Sequence, residues 1–234
     1  MVEVVCHRGA NAHAPENTYA SAQYCIDWGA DWLEIDVNTS RDGVMYVFHG
    51  PDLARTTSGI GKIHQMDSAD LDPLDCGSWF ATQFSNERMP RLDEFLDWLD
   101  GRIKLFLDVK WAPLEDLVQL IDEKGFSDNS FFWFGQDKLA RRFREIGSNL
   151  DMKINVGSEA DLHRAIEDYD AKIVEFGLNG LSARLIDASR HADIRSMIRY
   201  AGDHEKAFAS ILTLGPDMAN IDHADVFCKM RMGR

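Results

Sequence analysis

The stretch MKINVGSEADLHRAIEDYDAKIVEF, residues 152–176, contains one complete strand–helix–strand unit. Residues 152–156 and 172–176 are short, apolar-rich runs typical of strands, and residues 159–168 between them have helical spacing. Ser158 directly precedes the helix and is a predicted N-cap, because a serine hydroxyl can accept a hydrogen bond from an unpaired N–H group of the first turn. Such a unit predicts two parallel strands joined by a crossover helix.

The same alternation continues on both sides of this unit. Further strands are predicted at residues 2–6, 32–38, 103–109, 131–134, 194–200 and 219–221. Further helices are predicted at residues 18–28, 91–99, 114–124, 138–146, 183–191 and 204–214. Eight strands and seven helices predict a (β/α)8 TIM barrel whose last helix is reduced or absent. A doubly wound open sheet has the same alternation and stays open as an alternative.

One region interrupts the regular pattern. After a short extra strand at residues 44–48, residues 50–90 are irregular and contain Gly, Pro, Ser, Thr and Asp throughout. We therefore predict a single domain over residues 1–234, with an insertion of about residues 50–90 after the second strand. Loops of that length are usually functional. Trp79 and Phe80 in this insertion are equally consistent with covering a substrate and with packing the loop.

Composition excludes several classes of protein. A formal net charge of −14 argues against a nucleic-acid partner, since binding to phosphates needs a basic surface. No apolar run is long enough to span a bilayer, so we expect no stable membrane insertion. The four cysteines are scattered without metal-binding spacing, and the chain enters a strand without a leader, which predicts a cytoplasmic protein. The sequence leaves a homo-oligomer open.

Chemically reactive side chains gather at the predicted carboxyl ends of the first strands. In a (β/α)8 barrel the active site lies at that face. The residues are His7 and Arg8 after the first strand, Glu34 and Asp36 in the second, His49 at the end of the extra strand, and Asp108 and Lys110 at the end of the third. Their shared position predicts one site built from several strands.

The three carboxylates predict a metal site. Glu34 and Asp36 are two residues apart, so both point to the same side of the strand, and the alternate positions hold the apolar residues Leu33, Ile35 and Val37. We expect the apolar face to pack against helices and both carboxylates to point into the barrel. Buried carboxylates are unfavourable unless they are paired or bind a metal. Together with Asp108 they would supply the oxygen ligands that suit Mg²⁺ or Ca²⁺.

The basic residues predict anion binding and proton transfer. Arg8 and Lys110 could each hold a phosphate oxygen, and His7 and His49 could act as acid and base because a histidine pKa lies near neutral pH. The remaining histidines have no comparable neighbours, and we expect ordinary structural or surface roles for His13, His64, His163, His191, His204 and His223.

The order of motifs resembles the glycerophosphodiester phosphodiesterase family. The matching residues, which reach Lys110 and cover about the first half of the chain, are His7-Arg8-Gly9, Pro15-Glu16-Asn17-Thr18, Gly29-Ala30-Asp31, Glu34-x-Asp36-Val37, Asp42-Gly43, Val47-Phe48-His49, Arg55-Thr56-Thr57-x-Gly59-x-Gly61 and Pro90-x-Leu92. A chain of motifs in order is far more specific than any one motif. The second half of the sequence matches only as a barrel pattern.

The resemblance implies a function and a role for each motif residue. It implies a hydrolase of lipid and glycerol metabolism that converts a glycerophosphodiester to glycerol 3-phosphate and an alcohol through a cyclic phosphate. It implies one divalent cation, Mg²⁺ or Ca²⁺, and the expected roles are metal binding by Glu34, Asp36 and Asp108, acid–base catalysis by His7 and His49, phosphate binding by Arg8 and Lys110, and support by Glu16 and Asn17.

Three features depart from the family pattern. Gly50 stands where the family usually has Asp, Asp108 stands where it usually has Glu, and the usual Asp-x-Pro ending is absent, although Asp222 could occupy the place of that Asp. The first two departures resemble the phospholipases D of the sphingomyelinase D type, which cyclise lysophospholipid headgroups. That activity and a non-catalytic barrel are the alternatives. Retention of both histidines and all three carboxylates argues against the non-catalytic barrel.

Overall fold

Parallel strands form a closed barrel in the computed structural model, which describes residues 1–146 and 149–233. In chain order the strands are β1 (Glu3–Cys6), β2 (Trp32–Thr39), β3 (Met45–Val47), β4 (Lys104–Val109), β5 (Ser130–Phe134), β6 (Asp151–Asn155), β7 (Ile173–Gly177), β8 (Arg195–Tyr200) and β9 (Met218–Ile221). Eight of these described strands form the barrel, and β3 pairs antiparallel with β2 beside it. Val5 of β1 pairs with Trp32 of β2 and with Asn220 of β9, which closes the ring. The closed ring confirms the predicted (β/α)8 barrel and excludes the open sheet.

Helices connect successive strands on the outside of the barrel. They are α1 (Tyr19–Asp27), α2 (Ser68–Leu71), α3 (Leu92–Leu99), α4 (Leu114–Glu123), α5 (Asp137–Glu145), α6 (Glu159–Tyr169), α7 (Ser182–His191), α8 (Glu205–Leu214) and α9 (Ala224–Met232). The Ser158 side chain accepts a hydrogen bond from the Asp161 amide at 3.2 Å, as the N-cap prediction requires. Among the described residues, no helix combines the length and apolar character needed to cross a bilayer.

The prediction of a reduced or absent last helix is wrong. Helix α9 follows the last strand, and its buried side chains Ala224, Phe227 and Cys228 have the i, i+3, i+4 spacing of an amphipathic helix. The Phe227 ring packs edge-on against Phe208 of α8, with ring centroids 5.6 Å apart. The helix therefore covers the barrel next to β1. The sequence did not predict this helix because its apolar pattern is short.

Alternate residues of the strands build two different layers. Leu33, Ile35 and Val37 of β2 belong to the large core shared with the helices, as predicted. The opposite side chains form an apolar cluster inside the barrel, made of Val5, Trp32, Phe106, Phe131, Ile173, Met197 and Met218. Glu34, Asp36 and Asp108 follow Trp32 and Phe106 at alternate positions toward the carboxyl ends of the strands. The barrel therefore has an apolar floor and a charged layer above it.

The insertion after β2 has a small core of its own. Residues buried in this cluster are Tyr46, Phe48, Leu53, Ile63, Leu71, Cys76 and Met89. Trp79 is about half exposed, and its indole N–H donates to the Cys76 carbonyl at 2.9 Å. That contact joins two residues of the insertion itself, so packing of the loop accounts for the position of Trp79.

Candidate active site

Three carboxylates converge at the carboxyl ends of β2 and β4. One ligand oxygen from each of Glu34, Asp36 and Asp108 lies within 4.8 Å of the others. Asp36 and Asp108 are register partners of adjacent strands, which places them side by side, and Glu34 lies one inward position below. Glu34 and Asp36 are 1% and 0% exposed. We call Glu34, Asp36 and Asp108 the carboxylate cluster.

Burial and mutual repulsion shift the pKa values of the carboxylate cluster. Burial, followed by the charges of Asp36 and Asp108, raises the pKa of Glu34 well above its ordinary value, although the Arg8 amide donates to Glu34 Oε2 at 2.5 Å. Burial and the charge of Asp36 raise the pKa of Asp108 to about 6. Such shifts occur where carboxylates are gathered in a low dielectric without enough positive charge. The cluster therefore has an excess of negative charge that a cation would neutralise.

Asp36 contacts two basic side chains. Its Oδ1 lies 3.0 Å from Lys110 Nζ, its Oδ2 lies 3.3 Å from Arg8 Nε, and Asn17 Nδ2 donates to Oδ2 at 2.7 Å. Burial opposes ionisation of Asp36, but the charges of Lys110 and Arg8 outweigh it and lower its pKa. Asn17 also accepts a hydrogen bond from the Asp36 amide at 3.1 Å. The predicted supporting residue Asn17 thus fixes a carboxylate of the cluster.

The donor set of the cluster fits a hard divalent cation. Asp108 Oδ1 is buried without a hydrogen-bond donor among the described residues, although its other oxygen lies 2.5 Å from Lys110 Nζ. A buried carboxylate oxygen without a partner is unfavourable, and a bound cation would satisfy it. The cluster offers oxygen ligands only, the type that Mg²⁺ and Ca²⁺ prefer. Although Asp108 is one methylene shorter than Glu, it still reaches the other two carboxylates.

His7 lies at the end of β1, with one ring nitrogen held by a carboxylate. His7 Nδ1 is 2.7 Å from Asp222 Oδ1, and the pKa of Asp222 is lowered because the His7 hydrogen bond and the Arg199 charge outweigh its burial. An ionised carboxylate can only accept, so the contact with Asp222 favours a proton on Nδ1, whereas the donors Arg199 Nη2 and Asn11 Nδ2, at 2.8 and 3.3 Å from the same nitrogen, favour a proton on Nε2. Burial lowers the pKa of His7, ahead of the opposing effect of Asp222. The environment therefore favours a neutral imidazole.

Two further residues hold the partner of His7. Arg199 Nη2 donates to Asp222 Oδ1 at 2.9 Å and lies 2.8 Å from His7 Nδ1, and Asn11 Nδ2 donates to the same oxygen at 3.2 Å. Sequence analysis proposed Asp222 only as the equivalent of a family residue, and it missed Arg199 and Asn11. Strand parity would have indicated Arg199, because it lies two residues after the inward-facing Met197 of β8.

His49 follows β3 and has a defined tautomer. Its Nδ1 lies 2.9 Å from the Gly50 carbonyl oxygen, which can only accept, so Nδ1 carries the proton and Nε2 of the neutral ring is a proton acceptor. Burial is the largest influence on His49 and lowers its pKa, partly opposed by the negative charge of Asp36. Burial therefore favours the neutral form of both predicted catalytic histidines.

The backbone at Gly50 explains the departure from the family pattern. Gly50 has φ +50°, a left-handed conformation that side chains disfavour. A Cβ atom at this position would lie 2.7 Å from Asn38 Nδ2 and 3.0 Å from the Phe48 ring. An aspartate after His49 does not fit this loop without displacing both neighbours.

Glu16 supports Arg8 from the loop after β1. It forms a two-point ion pair with Arg55 of the insertion, with nitrogen–oxygen distances of 2.5 and 3.0 Å, and Arg8 Nη1 lies 3.3 Å from the same carboxylate. Although burial opposes it, the Arg55 hydrogen bond and the charges of both arginines lower the pKa of Glu16. The predicted supporting residue Glu16 thus connects the insertion to the site.

A second charged group lies on the opposite wall of the barrel. Lys153 of β6 is 2% exposed and its Nζ donates to Glu175 Oε2 at 2.5 Å, and Asn220 Nδ2 donates to the other oxygen of Glu175 at 2.9 Å. Trp133 lies between two ammonium groups, with Lys153 Nζ 4.6 Å and Lys110 Nζ 5.5 Å from ring centroids of its indole. The sequence analysis assigned no role to Glu175 or Lys153.

Comparisons with known proteins agree on one family. The family model for glycerophosphoryl diester phosphodiesterases matches residues 7–120, which contain all the predicted site residues. The putative glycerophosphodiester phosphodiesterase YhdW of Bacillus subtilis is 28% identical over 239 residues, covering 97% of this chain and 96% of that protein.

Solved structures extend the likeness to the whole barrel. The crystal structure of a glycerophosphodiester phosphodiesterase from Agrobacterium tumefaciens is 32% identical with a TM-score of 0.93, covering 98% of this chain and 100% of that one. An Oleispira antarctica phosphodiesterase, solved in complex with its product sn-glycerol-3-phosphate, shares the fold with a TM-score of 0.90 at 23% identity, over 99% of this chain and 97% of that one.

Proposed function

Because the chain belongs to the glycerophosphoryl diester phosphodiesterase family, we propose that it hydrolyses glycerophosphodiesters to glycerol 3-phosphate and an alcohol. The observation that carries this proposal is the convergence of an oxygen-only carboxylate cluster, two basic side chains and two histidines at one end of the barrel. Hydrolysis of a phosphodiester needs groups for three tasks, namely charge neutralisation, anion binding and proton transfer.

In this proposal the carboxylate cluster holds one divalent cation, Mg²⁺ or Ca²⁺. When bound, the cation would neutralise negative charge on the phosphoryl oxygens and so favour attack at phosphorus. Support comes from the orphaned Asp108 Oδ1 and from the raised pKa of Glu34, since both describe a cluster that is short of positive charge. Lys110 and Arg8, which already contact Asp36, are close enough to hold the phosphate of a substrate at the same place.

The histidines would move the protons. One histidine, in its neutral form, takes the proton of the glycerol hydroxyl next to the phosphoester as that hydroxyl attacks phosphorus. The other starts as the imidazolium, protonated on both ring nitrogens, and gives its Nε2 proton to the departing alcohol. Water then opens the cyclic phosphate, and the two histidines exchange their roles. Hydrogen bonds at Nδ1, from His7 to Asp222 and from His49 to the Gly50 carbonyl, support a transfer through Nε2 in both residues.

The alternative reaction stops at the cyclic phosphate, as in phospholipases D of the sphingomyelinase D type. It is favoured by two observations, the Asp at position 108 and the lack of room for a side chain at Gly50. Against it stands the match of residues 7–120 to the phosphodiesterase family model.

A cytoplasmic location stays a prediction, supported by the four free, buried cysteines.

Phosphorus NMR of the purified protein separates the two reactions. Incubation with glycerophosphocholine and Mg²⁺ or Ca²⁺ is expected to yield a phosphomonoester with the shift of glycerol 3-phosphate. A stable cyclic phosphate from lysophosphatidylcholine would support the alternative instead. If neither substrate changed with either cation, the proposal of a glycerophosphodiesterase would have to be abandoned for these substrates.

A further inference from the structure

Two histidines and an aspartate outside the carboxylate cluster meet at the same end of the barrel. His13 lies in the loop after β1, His223 directly precedes α9, and Asp225 is in the first turn of α9. One ligand atom of each lies within 4.8 Å of the others, and His13 Nε2 is 3.1 Å from Asp225 Oδ1. The sequence analysis assigned no function to either histidine. The fold creates their setting, because it joins segments 212 residues apart. We call these three residues the histidine cluster.

We propose that the histidine cluster is a second cation site that binds one Zn²⁺ ion. Its two imidazoles and one carboxylate are the donor set that zinc accepts, and they differ from the oxygen-only carboxylate cluster, which suits Mg²⁺ or Ca²⁺. Three protein donors leave a fourth tetrahedral position to water. The side chains of His13 and Asp225 are 41% and 13% exposed, so an ion has a path to the site.

Coordination of zinc by the histidine cluster would require only side-chain rotation. Zinc–nitrogen bonds of about 2.0–2.1 Å hold their donors a little over about 3 Å apart, so donors spread over 4.8 Å close around the ion by rotation. The ion would replace the proton now shared by His13 Nε2 and Asp225 Oδ1. Neutral His13 would then carry its proton on Nδ1 instead of Nε2, so coordination changes the tautomer of the ring but not its charge.

Charges near the histidine cluster act in both directions. The N-terminus of α9 carries a partial positive charge, and Lys229 Nζ lies 3.8 Å from Asp225, so both disfavour a cation. The Lys229 side chain is 73% exposed and can turn into solvent. The chain has a net charge of −14, which attracts cations to its surface generally. We therefore expect Zn²⁺ to bind here more weakly than in a protein whose fold depends on zinc, and to exchange with ions in solution.

The histidine cluster lies next to the residues that contact His7. Asn11 and Asp222 both contact His7, His13 follows Asn11 by two residues, and His223 follows Asp222 directly. A bound ion would therefore tie the loop after β1 to the start of α9, the two segments that carry the hydrogen-bond partners of His7. The site acts as a clamp on the surroundings of His7, and it does not depend on which phosphodiester is hydrolysed.

Imidazole NMR of the wild-type protein tests the proposal. With excess Mg²⁺ present to occupy the carboxylate cluster, ring ¹H–¹⁵N signals are followed while Zn²⁺ is added. We expect the rings of His13 and His223 to shift together and to saturate at one ion per chain. Asp225→Asn should weaken this binding by about tenfold or more, whereas the exposed control His64→Asn should bind as the wild type does.

Three results would overturn the proposal. Shifts limited to His7 and His49 would mean that zinc occupies the catalytic centre only, and the absence of any saturable shift would mean that the histidine cluster is only a set of hydrogen bonds. A His13→Asn variant that keeps wild-type affinity would lead to the same conclusion. Enzymatic activity does not enter any of these readings, so failure of the phosphodiesterase proposal is detected separately.

Discussion

His7 Nδ1 and Asp222 Oδ1 lie 2.7 Å apart, although 215 positions of sequence separate them. The contact crosses the seam where the first and last strands of the barrel meet, so the closed fold is what orients this histidine. Asp222 orients the ring of His7 through this contact and, through its negative charge, opposes the lowering of the His7 pKa by burial. Asp222 is therefore a positioning residue for His7.

Asp222→Asn should reduce kcat by about 10- to 100-fold, since a hydrogen bond to a charged group contributes about 1.5–3 kcal/mol. Because the negative charge that raises the His7 pKa is removed, the limb of the pH–rate profile that belongs to His7 should move to lower pH. A full pH profile of kcat for both proteins measures this. The matched control is Asp203→Asn in the loop after β8, whose side chain is 70% exposed. An unchanged profile in the Asp222 variant would remove its positioning role.

His7→Ala and His49→Ala should each lower kcat by about 10²–10⁴-fold, the usual contribution of general acid–base catalysis. Both side chains lie at the mouth of the barrel and contribute little to the core, so circular dichroism should be unchanged. The control is His204→Ala, since that side chain is 81% exposed. A variant with near wild-type turnover would show that the histidine it lacks is not part of the mechanism.

Gly50→Ala should destabilise the fold by about 1 kcal/mol more than Gly43→Ala does. Both glycines have positive φ, so in both variants an alanine is strained by the backbone conformation. A Cβ at Gly43 meets nothing within 4 Å, whereas a Cβ at Gly50 would press on Asn38 and the Phe48 ring. Urea denaturation of the two variants isolates the steric part. Equal losses of stability would mean that the loop around His49 can make room for a side chain.

Glu175→Gln should lower stability at pH 7 by about 3 kcal/mol, because it leaves the buried Lys153 charge unpaired. Burial would raise the pKa of Glu175, but the charge and hydrogen bond of Lys153 outweigh it, so the folded pKa lies below the ordinary value. The pair therefore stabilises the fold above the unfolded pKa of about 4.3 and loses that effect as pH falls through the folded pKa.

The measurement is urea denaturation as a function of pH. Below about pH 4.3 the difference between wild type and Glu175→Gln should shrink. The double variant Glu175→Gln, Lys153→Met should recover much of the stability at pH 7, because the unpaired charge is gone. If Glu175→Gln were as stable as the wild type at pH 7, the buried pair would have no part in stabilising the barrel.

The barrel could be predicted because its signal is local and repeated. A unit such as residues 152–176 has its own periodicity, and the apolar residues Leu33, Ile35 and Val37 reveal which way Glu34 and Asp36 face. Helix α9 was missed because its apolar pattern is short, with Phe227 as its only large buried side chain. Closure could not be predicted from the alternation, which a doubly wound open sheet shares, and it rests on the pairing of β1 with both β2 and β9.

The site was only half predictable for a physical reason. The motif residues up to Lys110 stand close together in sequence, so their spacing carries information. Arg199, Lys153 and Glu175 each come from a different late strand, and no local sequence motif links them. Their importance lies in contacts between distant segments, such as Lys153 with Glu175 or His13 with Asp225.

The dependence of turnover on a divalent cation tests the central proposal most directly. Release of glycerol 3-phosphate from glycerophosphocholine should stop when a chelator removes divalent ions and return when Mg²⁺ or Ca²⁺ is restored. In Glu34→Gln the restored activity and the calorimetric binding of the cation should be lost together, because one carboxylate of the cluster is missing. Full turnover in the presence of chelator, or undiminished cation binding by Glu34→Gln, would contradict the account.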